Sequence, residues 1–211
     1  IRRPRCRPTK MPLSTTHARH DLPLGTPFEI SRGSATDRTT VHTVAITDDE
    51  GRAGYGAAAP SAYYGETPES VETVLPDLLA IVREIDDPLA QQRLAGRLRD
   101  AAPGEGAARA AVSVAVHDLA ARRADEPLFR RFGLDPAAAP ATCLSIGIAG
   151  PDAMGERARQ AVADGFDVLK VKLGTDDDRA RLAAVREAAP EATIRVDANG
   201  AWTAAEAIAA T

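Results

Sequence analysis

Apolar residues along the chain follow two rhythms, and the change between them falls near Pro140. Before that point, alternating runs precede long stretches with helical spacing. Phe28-Glu29-Ile30 and residues 40–47 predict strands, the second with a period of two. Asp48-Asp49-Glu50-Gly51 predicts a turn into a third strand at residues 52–56, which completes an antiparallel meander. Val71, Val74, Leu75, Leu78, Leu79 and Val82 form one stripe of a helix over residues 69–85. Pro76 lies in its path and predicts a kink or break, because proline removes a backbone donor. Two further helices are expected, over residues 88–99 and 107–123. The second carries Ala108, Ala111, Val112, Ala115, Val116 and Leu119 at helical spacing.

After Pro140 strands and helices alternate. Strands are predicted at residues 142–148, 168–173 and 193–196, with helices at 151–164 and 176–188. Thr203 is placed to cap one more helix. This alternation implies a parallel sheet, either doubly wound or closed as a barrel. Three strands leave an exposed edge, so further strand–helix units are expected. The closing helix lacks a stop signal at Thr211, the opening residue is Ile1, and Met11 is a candidate start. The chain therefore reads as a piece of a longer protein.

Composition narrows the partners. An apolar content of 44% in 211 residues suffices for a sizeable core, and a net charge of −4 argues against nucleic acid or an anionic membrane. Arg2, Arg3, Arg5, Arg7 and Lys10 cluster at the start without interleaved aromatic residues, which suggests a disordered tail over residues 1–20. No apolar run has the length of a membrane span. Cys6 and Cys143 have no metal-ligand spacing, as expected of a reduced, cytoplasmic protein.

The basic residues single out one segment. Only Lys10, Lys170 and Lys172 are lysines among 26 basic residues, and two of them lie on the strand Val168-Leu169-Lys170-Val171-Lys172-Leu173. Arg does not give up its proton, whereas a crowded or desolvated Lys can become a general base. The period of two puts Lys170 and Lys172 on one face. The competing reading is an edge strand protected by lysines. Asp197 ends the next strand in Val196-Asp197-Ala198-Asn199-Gly200-Ala201-Trp202, a position suited to a hard divalent cation or, equally, to capping the following helix. His117 beside Asp118 suggests packing or a helix-surface pair, and His42 is expected to alternate towards solvent.

In this order and spacing, several segments resemble the enolase superfamily, in its muconate-lactonising subgroup and especially the L-Ala-D/L-Glu dipeptide epimerases. Pro27-Phe28-Glu29-Ile30-Ser31-Arg32-Gly33-Ser34 resembles a substrate-capping loop. Gly54-Tyr55-Gly56 followed by Tyr64-Gly65-Glu66-Thr67 resembles the end of the meander and a second loop facing the site. Ala115-Val116-His117-Asp118-Leu119-Ala120 resembles a signature helix, and the Lys-x-Lys strand with Val196-Asp197-Ala198-Asn199-Gly200-Ala201-Trp202 completes the set. Ala57 departs from the pattern, standing where many relatives have Glu.

The resemblance implies an α+β capping domain (residues 21–138) followed by the first three strands of a modified (β/α) TIM barrel (139–211). It further implies Mg²⁺ and a small dipeptide or other carboxylate substrate, whose α-proton is abstracted to give an enediolate. Lys172 would be the acid/base, Lys170 its electrostatic partner at the carboxylate, and Asp197 one of three metal ligands. Ser145 and Arg32 would contact substrate. The remaining metal carboxylates and the opposing lysine belong to barrel strands beyond these three, so this piece alone is expected to be inactive. A homo-oligomer is compatible with the resemblance. The alternatives are a muconate cycloisomerase or o-succinylbenzoate-synthase-like enzyme, a non-catalytic fragment, and a Schiff-base aldolase using the barrel lysine.

Overall fold

A computed structural model describes residues 12–31, 33 and 35–210, without the side chain of residue 210. Arg32 and residues 1–11, which include most of the expected tail, lie outside the described residues. The chain divides into two units. One comprises residues up to Leu22 with Thr39–Ala138, and the other Pro23–Arg38 with Ala139–Thr211. No helix among the described residues is long and apolar enough to cross a membrane.

A sheet of order β1-β2-β3 is formed by β1 (Ser14–Phe28), β2 (Thr36–Thr47) and β3 (Ala53–Ala58), and the larger part of it belongs to the first unit. β1 begins well before the expected Phe28 and takes in Ser14–His20, a stretch expected in the tail. Its residues are nearly all exposed, so it has no apolar rhythm to betray it. β2 and β3 pair antiparallel, with Val44 opposite Gly56 and Ile46 opposite Gly54. His42 is fully buried, contrary to the solvent-facing expectation, because it shares a face with the buried Val44 and Ile46.

α1 (Pro68–Ile85), α2 (Gln91–Ala101) and α3 (Gly106–Arg123) supply the rest of this core. Pro76 does not break α1. The helix runs unbroken through it, anchored by a Thr67–Ser70 capping box and buried through Val71, Leu75, Leu78, Leu79 and Val82. A small-residue face of α3, including Ala108, Ala111 and Ala115, is buried beside β3. A Cβ added at Gly56 would lie 2.0 Å from the Ala111 carbonyl oxygen, and one at Gly54 2.2 Å from that of Ala115. Only glycine allows the strand this close to the helix backbone.

Two buried carboxylates tie loops to helices. Asp48 Oδ1 accepts from the backbone N–H groups of Glu50 and Arg52, and Oδ2 from Arg52 Nε at 3.0 Å and Arg123 Nε at 2.9 Å. Burial pushes its carboxyl up, but these bonds outweigh it and bring the pKa down to about 2. Glu66 Oε1 accepts from the Ala107 N–H at 2.8 Å, at the start of α3. α4 (Leu128–Arg131) follows, and the Phe132 ring just after it lies 5.8 Å from that of His117. His117 Nδ1 donates to the Ser113 carbonyl, a packing arrangement.

The second unit contains a parallel sheet of order β4-β5-β6, from β4 (Cys143–Ile146), β5 (Val168–Lys172) and β6 (Thr193–Asp197). The connections run through α5 (Pro151–Ala163) and α6 (Asp178–Ala188), and α7 (Ala204–Ala210) follows β6. Ile146, Leu169, Val171 and Leu173 form one core with Met154 and Ala158 of α5 and Val185 of α6. Asp178 fixes the turn after β5, accepting from the N–H groups of Gly174 and Thr175 and from Trp202 Nε1.

Candidate active site

The strand period sorts the second unit's side chains. Since Leu144 and Ile146 of β4 and Leu169 and Val171 of β5 pack in one core with α5 and α6, Ser145, Lys170 and Lys172 between or beside them point to the opposite face. The register then aligns Ser145 with Lys170 and Arg195, and Lys172 with Asp197. Lys172 and Asp197 are the last residues of their strands, at the carboxyl-terminal end where parallel α/β sheets carry their sites.

The contacts between these groups are direct. Asp197 Oδ2 lies 2.8 Å from both Lys170 Nζ and Lys172 Nζ. Its Oδ1 accepts from the Asn199 N–H at 2.8 Å, and Asn199 Oδ1 accepts from Lys172 Nζ at 3.1 Å. Asn199 reaches this position through a left-handed backbone, φ 51°, which Asn tolerates better than most residues. Lys172 is buried, with 8% of its surface exposed, whereas the Lys170 side chain is 37% exposed.

The charges reinforce one another. Hydrogen bonds from Lys170 and then Lys172, with the Asn199 N–H, hold the Asp197 carboxyl well below the usual carboxylate range. In return, the hydrogen bond to Asp197 and its negative charge push the Lys170 ammonium up. Lys170 and Asp197 thus favour each other's charged forms. The pairing of Lys170 in this structure is with the Asp197 carboxylate.

The structure thus brings Lys170, Lys172 and Asp197 together and sets Ser145 opposite Lys170 in the register. Ser145 also lines a cleft of about 280 Å³ with Thr26, Phe28, Gly147, Arg157 and Gln160. Arg32 lies outside the described residues. Asn199, given no role of its own in the site from the sequence, is a direct partner of Lys172. The clue was the Asn199-Gly200 pair, where two successive positive φ values (51° and 81°) turn the chain back over the strand end.

The donor chemistry of Asp197, a carboxylate at a strand end, suits a hard cation, which takes oxygen ligands and commonly keeps several waters. No group of three or more His, Cys, Asp or Glu that could hold a metal ion occurs among the described residues.

An antiparallel sheet with packed helices, followed by parallel strand–helix units ending in this charged group, defines an α+β cap joined to the start of a (β/α) barrel. The chain matches the mandelate racemase / muconate lactonizing enzyme N-terminal domain over residues 13–133, and the enolase C-terminal domain-like family over 153–211. It belongs to the mandelate racemase / muconate lactonizing enzyme family of the enolase superfamily. It is 39% identical over 175 residues to an L-Ala-D/L-amino acid epimerase of Pedosphaera parvula, covering 82% of this chain and 49% of the relative. The L-Ala-D/L-Glu epimerase of Escherichia coli is 36% identical over 182 residues, covering 86% and 54%. Among solved structures, the dipeptide epimerase of Cytophaga hutchinsonii complexed with Mg and D-Ala-L-Val superposes with a TM-score of 0.86 at 27% identity, covering 94% of this chain and 55% of that one. The chain spans about half the length of the relatives it matches.

Proposed function

We propose that the whole protein containing this chain is a Mg²⁺-dependent dipeptide epimerase of the L-Ala-D/L-Glu type. The observation that carries the reading is the Lys172–Asp197–Lys170 cluster at the strand ends, in a chain whose relatives include dipeptide epimerases. In this reading the division near residue 139 separates a cap from the barrel's first part, and the protein is cytoplasmic.

Epimerisation requires removal of the proton on the carbon α to a carboxylate, and its return on the opposite face. Lys172 is the group for the first task. It is buried at the carboxyl-terminal end of β5 with its Nζ on Asp197 and Asn199, where a proton-transfer group can reach a substrate held over the strand ends. Lys170, held protonated, offers a fixed positive charge to the substrate carboxylate as negative charge grows there. Asp197 is the chain's ligand for Mg²⁺, which when bound supplies a Lewis acid for that same charge. Ser145, in register with Lys170, is placed to hydrogen-bond the substrate, and Arg32 is the candidate for a distal carboxylate. Return of the proton needs a second acid/base group opposite Lys172, from another part of the whole protein.

The test is proton–deuterium exchange at the α-carbon of L-Ala-L-Glu by the whole protein, followed by NMR. Exchange that depends on Lys172 supports the reading. Exchange seen only with a muconate or cyclohexadiene carboxylate would replace it with the cycloisomerase or o-succinylbenzoate-synthase alternative.

A further inference from the structure

Residues 23–38 belong to the second unit although they precede its sheet by more than a hundred residues. Their described contacts fall at the same place on three successive strands. The Ile148 N–H, just past β4, donates to the Glu29 carbonyl at 3.0 Å, and a Cβ at Gly147 would meet Glu29 N and Phe28 Cδ2 at 3.1 Å. Past β5, a Cβ at Gly174 would lie 2.8 Å from Ser31 Cβ and 2.9 Å from the Ala198 carbonyl oxygen. Past β6, Ser31 Oγ donates to that Ala198 carbonyl at 2.7 Å in a partly buried bond. Gly174 has φ 113°, a backbone only glycine adopts without strain, and its missing side chain is the space that Ser31 uses.

Ala198 is the residue between Asp197 and Asn199, the two partners of Lys172. The geometry points to Ser31 as a positioning residue: its hydroxyl clamps the peptide between Asp197 and Asn199, holding both side chains on Lys172, and Gly174 admits the clamp. No charge is needed for this, only a short hydrogen bond across a glycine gap. The catalytic half of the inference rests on the epimerase reading above, whereas the clamp itself does not.

The test uses Ser31→Ala and Gly174→Ala in the whole protein, with hydrogen exchange read by mass spectrometry and turnover read by α-proton exchange. Loss of one neutral hydrogen bond should speed amide exchange across residues 198–202 about fivefold in Ser31→Ala, and by at least as much in Gly174→Ala, where backbone strain adds to it. Exchange in α5 should stay unchanged, and kcat should fall by a similar factor with KM largely retained. Unchanged exchange at residues 198–202 overturns the clamp. Equal acceleration in α5 also overturns it, since that is general loosening. Local acceleration with unaltered kcat overturns the link to proton transfer. If no dipeptide is turned over at all, the epimerase reading fails while the exchange result still decides the clamp.

Discussion

Replacing Gly56 by Ala tests the closeness of β3 and α3. The added carbon would lie 2.0 Å from the Ala111 carbonyl oxygen, 2.9 Å from its carbon and 3.0 Å from Ala115 N. Carbon atoms in good contact sit about 3.5 Å or more from their neighbours, so strand and helix must part by about 1.5 Å. The obstacle is backbone in the middle of an 18-residue helix, and no side-chain rotation relieves it. Overpacking costs about 1–3 kcal/mol even where side chains can yield, so a loss of about 3 kcal/mol is expected here. With a urea dependence of about 2 kcal/mol per molar, the midpoint should drop by about 1.5 M. Gly96→Ala is the matched control: it lies inside α2 with nothing within 4 Å of the new carbon, and alanine there should raise the midpoint by about 0.5 M through helix propensity. Urea titration followed by helical circular dichroism reads both. A Gly56→Ala midpoint equal to that of the unaltered protein would refute the packing argument.

Other outcomes follow from buried or paired groups. Asp48 is held at about 2, below its ordinary 3.8, so it contributes about 2 kcal/mol above pH 4 that is lost as pH falls from about 4 to 2. Asp48→Asn should remove that acid slope from the urea midpoint, and an unchanged slope would contradict the assignment. Burial, its main cause, pushes the His42 imidazole below 6.5 despite the nearby Glu72, and both ring nitrogens lack a hydrogen-bond partner among the described residues. The unfolded chain then binds the extra proton first, so stability should fall as pH drops below about 6.5, by up to about 1.4 kcal/mol per pH unit. His42→Leu should flatten that slope between pH 7 and 5, and calorimetry across the range decides it. Lys172→Met in the whole protein should slow α-proton exchange by at least about a hundredfold while leaving circular dichroism intact, and retained exchange would remove Lys172 from the proposed role.

The barrel portion was the more legible half of the sequence. β5 is an apolar run interrupted only by Lys170 and Lys172, so both fall on one face by parity alone. Thr203 was readable as a cap, and it accepts from the Glu206 N–H as a capping box does. The cap was harder. β1 has almost no buried residues, so nothing periodic marked Ser14–Phe28 as a strand. Pro76 argued against a continuous helix, yet the buried stripe on both sides of it prevailed over the local propensity. His42 was misplaced because a polar residue was assumed to face water, whereas the two aliphatic residues that follow it at alternate positions fixed its direction inward. Asn199 escaped because its role depends on a left-handed turn that brings a residue beyond the strand back over the strand's end.

The alternation in β5 constrains how this protein can change. Leu169 and Val171 are fully buried under the helices while Lys170 and Lys172 reach the opposite face to meet Asp197. Stability and chemistry are interleaved one residue at a time, so a single-residue insertion or deletion within 168–172 would exchange the two sets, driving ammonium groups under the helices and leucine into the charged cluster. Point substitutions on one face can accumulate with little effect on the other. Changes of length cannot, and relatives that differ in substrate are expected to differ in side chains and in the loops past the strand ends, with the length of this strand held constant.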